Sequence, residues 1–162
     1  MSDILISFVI PSFNDRRIIE CIKSIQDTNI PDDKKEIIIQ DGGSSQSLIH
    51  EIKTLLSQND QLIVEQDNGI FDGINRGIQK SNGYFVLTLG SDDRVFKLKF
   101  EELSELRASK VQVVVGELAY TDENWIPMRY WPARKISYVQ YLLGRQYAHF
   151  SLLCTKKVYE EV

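Results

Sequence analysis

Apolar positions follow two different periods along this chain. Near-continuous apolar runs at Leu5–Ile10, Glu36–Gln40, Leu62–Gln66 and Tyr84–Leu89 read as strands buried on both faces. Between the runs, apolar residues return every three or four positions. Ile18, Ile19, Ile22 and Ile25 make one such stripe; Leu48, Ile49, Ile52, Leu55 and Leu56 a second; Ile70, Phe71, Ile74 and Ile78 a third. Each stripe lies on one face of a helix. Asn14 or Asp15 is placed to cap the first helix, and Asn82-Gly83 closes the third. Pro11 is expected to stop the first strand. The order βαβαβαβ predicts a parallel sheet covered by helices on both faces.

Beyond Asp93 the pattern changes. Phe100, Leu103 and Leu106 predict a short helix, and Val111–Gly116 a fifth strand. Glu117–Trp131 reads as a hairpin with Thr121–Asn124 at its tip, so the later part of the sheet is expected to be antiparallel. A helix over 136–143 and a strand over 148–154 follow, and the last residues read as helical up to Val162, without a cap. The 162 residues suit one domain, divided into a strand-and-helix half, 1–93, and a mixed half, 94–162.

Composition narrows the function classes. Hydrophobic content is 43% and charged content 26%, ordinary for a globular protein, and the net charge of −4 argues against a nucleic-acid binder. Cys21 and Cys154 lie far apart without a CxxC spacing and read as buried thiols, with a single disulfide left open. His50 and His149 are too few for a His-rich metal site. Asp3 stands where a signal peptide would be basic, and no apolar run is long enough to span a membrane, so a cytoplasmic protein is expected. Tyr130, Trp131, Arg134, Lys135 and Tyr138 leave peripheral contact with the inner face of a membrane open beside the reading as an ordinary amphipathic surface.

Ligands of open α/β sheets bind outside the carboxyl ends of the strands. Those ends read Pro11-Ser12-Phe13-Asn14, Asp41-Gly42-Gly43-Ser44, Asp67-Asn68-Gly69 and Gly90-Ser91-Asp92-Asp93. None is a GxGxxG or GxxxxGK[ST] phosphate loop. Carboxylates would then hold a base and ribose, and a bridging cation the phosphates. Asp92 and Asp93 suit a divalent metal, Mg²⁺ or Mn²⁺, through hard oxygen ligands; from spacing alone a solvated turn is an equal reading.

Taken in order, these segments resemble the family-2 glycosyltransferases of the GT-A fold. "FVIPSFNDRRIIECIKSI" is similar to the family's first strand, Pro-[Thr/Ser]-aromatic-Asn turn and first helix. "EIIIQDGGSSQS" resembles its base-binding strand and loop. "EQDNGIFDGINRGIQKSNGYFVLTLGSDD" resembles a subgroup pattern that ends in the acidic metal motif, and "YAHFSLLCTKKVYEEV" a later His-strand-basic segment. The resemblance implies a Rossmann-like, three-layer α/β/α domain with a mostly parallel sheet and an antiparallel C-terminal part. It implies transfer of a sugar, with inversion, from a nucleotide sugar (most often a UDP-sugar) to a hydroxyl of a glycan or lipid-linked glycan, in bacterial surface polysaccharide assembly. Carried over, Pro11, Ser12 and Asn14 lie beside the base, Asp41 accepts the uracil imide N–H with Gly42 beside it, and Asp72 and Arg76 lie near the base or diphosphate. Ser91 lines the same site, Asp92 ligates the metal, and Asp93 assists it or positions the donor sugar.

The departures are specific. Gly90 replaces the first Asp of the family's DXD motif, and Ile74 stands where the wider family has Arg. The loop reads Gln40-Asp41-Gly42-Gly43, without a second Asp. In the family the general base follows the segment that ends here, so a shortened enzyme, another base, or reduced activity is expected; Asp93, Glu117 and His149 are the candidates in this chain. Asp72 also suits a helix N-terminus, Arg76 a solvated helix face, and Trp125 and Trp131 either sugar stacking or plain packing. The rival readings are a nucleotide-binding module without catalysis and, further off, a receiver-like signalling domain or a nucleotidyltransferase.

Overall fold

A computed structural model describes residues 3–133, 135, 137–144 and 149–161. Its strands and helices alternate as the periodicity predicts: β1 (Ile6–Ser12), α1 (Ile18–Gln26), β2 (Lys35–Asp41), α2 (Gln46–Leu55), β3 (Gln61–Val64), α3 (Ile70–Lys80) and β4 (Phe85–Thr88). Then follow α4 (Phe100–Ala108), β5 (Val113–Val115), β6 (Leu118–Thr121), β7 (Pro127–Trp131), α5 (Tyr138–Leu142), β8 (Leu152–Thr155) and α6 (Lys156–Glu160).

Six strands form one sheet in the order β3-β2-β1-β4-β8-β5. β3, β2, β1 and β4 are mutually parallel, while β8 runs antiparallel to both β4 and β5. Alternation along the central strands sorts side chains to two layers. Ile6, Phe8, Ile10, Ile37, Ile39 and Phe85 pack with Ile18, Ile22, Ile25, Ile52 and Leu103 of α1, α2 and α4. Val9, Ile38 and Val86 pack on the other face with Ile74 and Ile78 of α3 and Tyr159 of α6. The three-layer α/β/α expectation holds. The strand order also departs from the 2-1-3-4-5 order of receiver-like folds.

Helix α3 lies close over β1 because it carries glycine where the two meet. A Cβ on Gly77 would fall 2.5 Å from Val9 Cγ1, and one on Gly73 3.2 Å from Pro11 Cβ. The Gly in the Asn-Arg-Gly segment is thereby accounted for by packing.

Several boundaries differ from expectation for identifiable reasons. β1 runs through Pro11 to Ser12, paired with β2. Pro11 is tolerated because its backbone faces β4, whose pairing with β1 ends at Val9; no ladder donor is required there. Neither Asn14 nor Asp15 caps α1. Arg17 holds the N-cap position, and Asp15 accepts the Arg17 backbone N–H at 3.0 Å. The hairpin forms as predicted from β6 and β7, but as a separate two-stranded sheet. The antiparallel part of the main sheet comes instead from β8, inserted between β4 and β5. A 3₁₀ turn, His149–Ser151, precedes β8, and α6 ends at Glu160. Both cysteines are buried free thiols, and burial raises the Cys21 thiol pKa to about 12.

Candidate functional site

The parallel strands bring the four loop ends, three of them bearing Asp and Gly, to one edge of the sheet. Hydrogen bonds between neighbouring loops hold them in register. Gly42 N–H donates to the Ser12 carbonyl at 2.8 Å and Glu65 N–H to the Asp41 carbonyl at 2.9 Å. Ser91 Oγ donates to the Pro11 carbonyl at 2.8 Å, which ties the β4 turn to the end of β1.

The β1 and β2 ends share one network. Asp41 is fully buried, and its Oδ1 accepts the N–H groups of Gly43 and Ser44 at 2.9 and 2.7 Å. Its Oδ2 accepts the Ser44 hydroxyl at 2.6 Å, and Ser44 Oγ in turn accepts Asn14 N–H at 2.7 Å. Asn14 Oδ1 accepts Ser45 N–H at 2.9 Å, with Asn14 itself at φ 51°. Such left-handed backbone suits Asn better than most residues. Asp41 therefore shapes the loop from beneath, while Phe13 stands 65% exposed above it. The Ser12 hydroxyl is buried at this strand end and, among the described residues, has no hydrogen-bond partner.

At the β3 end, Asp67 Oδ1 accepts Gly69 N–H at 3.0 Å, and its Oδ2 lies 3.4 Å from where a Cβ on Gly42 would be. Asp72 accepts Asn68 N–H at 2.9 Å and pairs with Arg76 at 2.9 Å. These bonds, the Asn68 one foremost, hold the Asp72 carboxyl below the usual carboxylate range. Arg76 also donates to the Gln66 carbonyl at 3.2 Å. Asp72 and Arg76 thus brace the β3–α3 connection beside the site.

The β4 end is a tight acidic turn. Gly90 N–H donates to Asp93 Oδ2 at 2.6 Å, and Asp93 N–H to the Gly90 carbonyl at 3.1 Å. A Cβ on Gly90 would lie 2.8 Å from Asp92 Oδ1 and 3.1 Å from Asp93 Oδ2. The two carboxylates fold back over the position where the family motif has its first Asp, and glycine leaves them that room. Burial raises the Asp93 pKa above the ordinary value, with Gly90 opposing and the Asp92 charge adding to the shift. Asp92 is exposed, and its Oδ2 pairs with Arg17 Nη1 at 3.1 Å. Arg17 is also held by Asp15, Nε to Oδ1 at 2.9 Å and Nη2 to Oδ2 at 2.7 Å.

Among the described residues no group of three or more His, Cys, Asp or Glu side chains converges as a metal cage. The donor set fits a different kind of metal site. Two adjacent carboxylates with hard oxygens suit a Mg²⁺ or Mn²⁺ ion that takes its remaining ligands from water and substrate phosphates.

The other candidates lie elsewhere. Glu117 is exposed at the foot of the hairpin and accepts a hydrogen bond from Tyr130, which raises the phenol pKa. His149 is placed by its backbone in the turn before β8, and its side chain lies outside the described set. Trp125 offers one ring face to Arg94, whose guanidinium carbon sits 3.6 Å from the ring centroid, and Trp131 is covered similarly by Arg129 at 5.1 Å. Lys156 of the basic pair donates to the Ser81 carbonyl at 2.7 Å, after the C-terminus of α3. Of the membrane-contact cluster, Tyr130 is 57% exposed and Trp131 is half-buried, while Arg134 and the Tyr138 side chain lie outside the described residues. No described helix is long and apolar enough to cross a membrane. Three residues that spacing did not single out belong to the site: Arg17, Ser44 and Asp67. Asp67 and Ser44 sit in strand-end loops that the sequence does mark, whereas nothing local points from Arg17 to a partner in the β4 turn.

Comparison with known proteins agrees with this geometry. A PGL/p-HBAD biosynthesis glycosyltransferase of Mycobacterium tuberculosis is 29% identical over 123 residues, 73% of this chain and 46% of that protein. The chain therefore spans about half the length of that relative. The fold is similar to that of S. aureus TarS 1–349 in complex with UDP-GlcNAc (TM-score 0.59, 18% identity, 77% of this chain and 37% of that one). It is also similar to the mannosyltransferase PcManGT of Pyrobaculum calidifontis in complex with GDP-Man and Mn²⁺ (TM-score 0.63, 15% identity, 96% and 45%). These likenesses establish the GT-A fold. The family description "Glycosyl transferase family 2" matches residues 7–156, and with the acidic turn and the strand-end loops in place, the chain belongs to that family.

Proposed function

We propose that this chain binds the nucleoside diphosphate of a sugar donor across the ends of β1, β2 and β4, and that it transfers the sugar with inversion to a hydroxyl of a glycan or lipid-linked glycan. The observation that carries the reading is the acidic turn. Asp92 and Asp93 crowd over a glycine at the end of a parallel strand, and the neighbouring strand β1 ends in a buried Ser12 hydroxyl without a partner among the described residues. Neighbours of the same fold in complex with UDP-GlcNAc or with GDP-Man and Mn²⁺ support a nucleotide-sugar donor, and UDP-sugars are the first class to test.

The loop Asp41–Ser44 takes the base. Buried Asp41 fixes the loop from beneath and would meet the uracil imide only if the Ser44 hydroxyl gives up its Oδ2, Gly42 lets the base approach, and Pro11, Ser12 and Asn14 form the facing wall. Asp72, Arg76 and Ser91 flank the ribose and diphosphate. Asp92, with Asp93 behind it, would hold a divalent Mn²⁺ or Mg²⁺ against the diphosphate. When bound, such an ion supplies Lewis-acid stabilisation of the departing diphosphate. Deprotonation of the acceptor needs a base within hydrogen-bond reach. Asp93, Glu117 and His149 are the candidates, and Asp93 alone belongs to the acidic turn. A setting in bacterial surface-polysaccharide biosynthesis, at the cytoplasmic face of the membrane, belongs to this reading by family resemblance; the mycobacterial relative is named for PGL/p-HBAD biosynthesis.

Thermal unfolding with UDP plus Mn²⁺, UDP plus chelator, and Mn²⁺ alone tests the reading. Ligand at a hundred times its dissociation constant adds about 2.7 kcal/mol. A raised midpoint only when both are present is expected, and Asp92→Ala should remove it while leaving the ligand-free midpoint within a few degrees. No rise under any condition overturns the donor site. Binding without product formation from UDP-GlcNAc or GDP-mannose, across glycan and lipid-linked acceptors, would favour a nucleotide-binding module.

A further inference from the structure

We propose that Arg17 holds the cation position at Asp92 in the donor-free protein, and that it hands Asp92 over only when a diphosphate arrives to take the guanidinium. The inference rests on the donor site proposed above. Arg17 stands at the start of α1, where its carbonyl accepts Glu20 N–H at 3.0 Å. Asp15 grips the guanidinium by two bonds, which fixes its plane and aims the remaining Nη1 at Asp92 Oδ2, 3.1 Å away. Asp15 is half-buried, while the Arg17 side chain is 67% and the Asp92 side chain 53% exposed. The Arg17–Asp92 contact is therefore the releasable one. Arg16 is paired with Glu51, and Arg94, two residues beyond Asp92, is occupied by Glu20 and the face of Trp125.

Charge then decides the order of events. The turn and its surroundings carry Asp15, Glu20, Asp92 and Asp93 against Arg17 and Arg94. A divalent ion arriving alone must compete with a cation already paired to Asp92, and that competition costs what the ion pair contributes. An exposed pair is worth up to about 1 kcal/mol, roughly five-fold in affinity. A nucleoside diphosphate alters the balance. It brings the negative charge that a second cation needs, and its oxygens suit a guanidinium fork as well as a carboxylate does. Arg17 loses no partner when it turns from Asp92 to phosphate, and the metal gains both Asp92 and the diphosphate. Donor and metal binding become mutually dependent through Arg17, each raising the affinity for the other by the same factor.

The test is Mn²⁺ binding to the whole chain, read from the spin-resonance signal of free Mn²⁺, with and without UDP. The proteins are wild type, Arg17→Gln and Arg17→Lys. Arg17→Gln should tighten Mn²⁺ binding without UDP by roughly three- to five-fold. It should also weaken UDP binding in Mn²⁺, so that the factor by which UDP raises Mn²⁺ affinity falls by about tenfold or more. Arg17→Lys keeps the charge without the fork; it should bind Mn²⁺ alone as wild type does, yet recover little of the UDP effect. Unchanged or weaker metal-only affinity in Arg17→Gln overturns the inference. If wild type takes up Mn²⁺ with UDP but the variants match it, this inference alone fails. If wild type shows no UDP-dependent uptake, the donor-site reading fails with it.

Discussion

The two halves of the chain use apolar residues in opposite ways. Through β4, most go inward: every residue of β1 and β2 is buried, with helices closing both faces, and the exposed exceptions, Phe13, Val64, Ile70 and Phe71, sit at strand ends and at the start of α3. In the hairpin and α5 they go outward. Four of the five β7 residues are exposed, Met128 is 70% exposed, and Leu143 just beyond α5 is 81% exposed. The first half supplies most of the core, to which α4 and β8 add Leu103 and Leu153, and the loops at its sheet edge rest on buried strands. The hairpin and α5 present surface. A nucleotide site needs fixed geometry, which burial provides; the hairpin is under no such demand from any contact among the described residues.

Phe8→Ala should break this contrast most directly. Phe8 is fully buried between β1 and α1, and its truncation should cost about 3–5 kcal/mol, measured by denaturant unfolding. Met128→Ser on the hairpin should cost under about 0.5 kcal/mol by the same measurement; equal losses would show that the hairpin is buried against something. A smaller loss than for Phe8 is expected at the far edge of the sheet. A Cβ on Gly83 would fall 2.6 Å from Ser7 N and 2.8 Å from the Ile6 carbonyl carbon, both backbone atoms. Gly83→Ala should cost about 1–3 kcal/mol, and a neutral result would mean that β1 and β4 are less closely held than their pairing indicates.

Asp93→Asn is the finest probe, because it sets function against stability. Burial raises the folded-state pKa of Asp93. The folded protein then binds the proton more tightly than the unfolded chain, so this group's contribution is complete at acid pH and is lost as pH rises through the raised value. The amide avoids that loss and can still accept the Gly90 N–H. The variant's thermal midpoint should gain on wild type as pH rises above the ordinary Asp range, while UDP-dependent Mn²⁺ binding weakens. A difference that shrinks with rising pH would mean that Asp93 is stabilised as the anion.

Legibility in the sequence follows the same division. β1, β2 and β4 and their helices could be read because burial on two faces writes a run, and burial on one face of a helix writes a stripe; β3 at the sheet edge is only half-buried, and Ile70 and Phe71 of the third stripe are exposed at the start of α3, where the helix has not yet crossed the sheet. The strand-end loops could be read from Asp41, Asp67 and Asp92 beside glycines. Pro11 misled because its effect depends on which neighbour its backbone faces, and that is a property of β4's length. The insertion of β8 between β4 and β5 left no local mark, since Leu152–Thr155 would look the same beside any strand. Arg17 was invisible for a similar reason. Its partner Asp92 lies at the far end of the parallel sheet segment in sequence and next to it in space, and only the sheet order joins them. Asp41 was legible as a strand-end residue, whereas its engagement with Gly43 and Ser44 depends on the turn's closed shape.

The position of β8 also has a consequence for how the chain is assembled. β5 has one strand neighbour, β8, and β8 is made later. A growing chain can close β1 to β4 as soon as Thr88 has emerged, because β2, β3 and β4 each find a partner upstream. Val113–Val115 has none yet, and the hairpin and α5 must be synthesised before Leu152–Thr155 arrives to join it to β4. The edge of the sheet beside the acidic turn is thus the last part of it to be completed, and an arrested chain ending near Leu142 would carry a finished nucleotide edge with an unpaired β5.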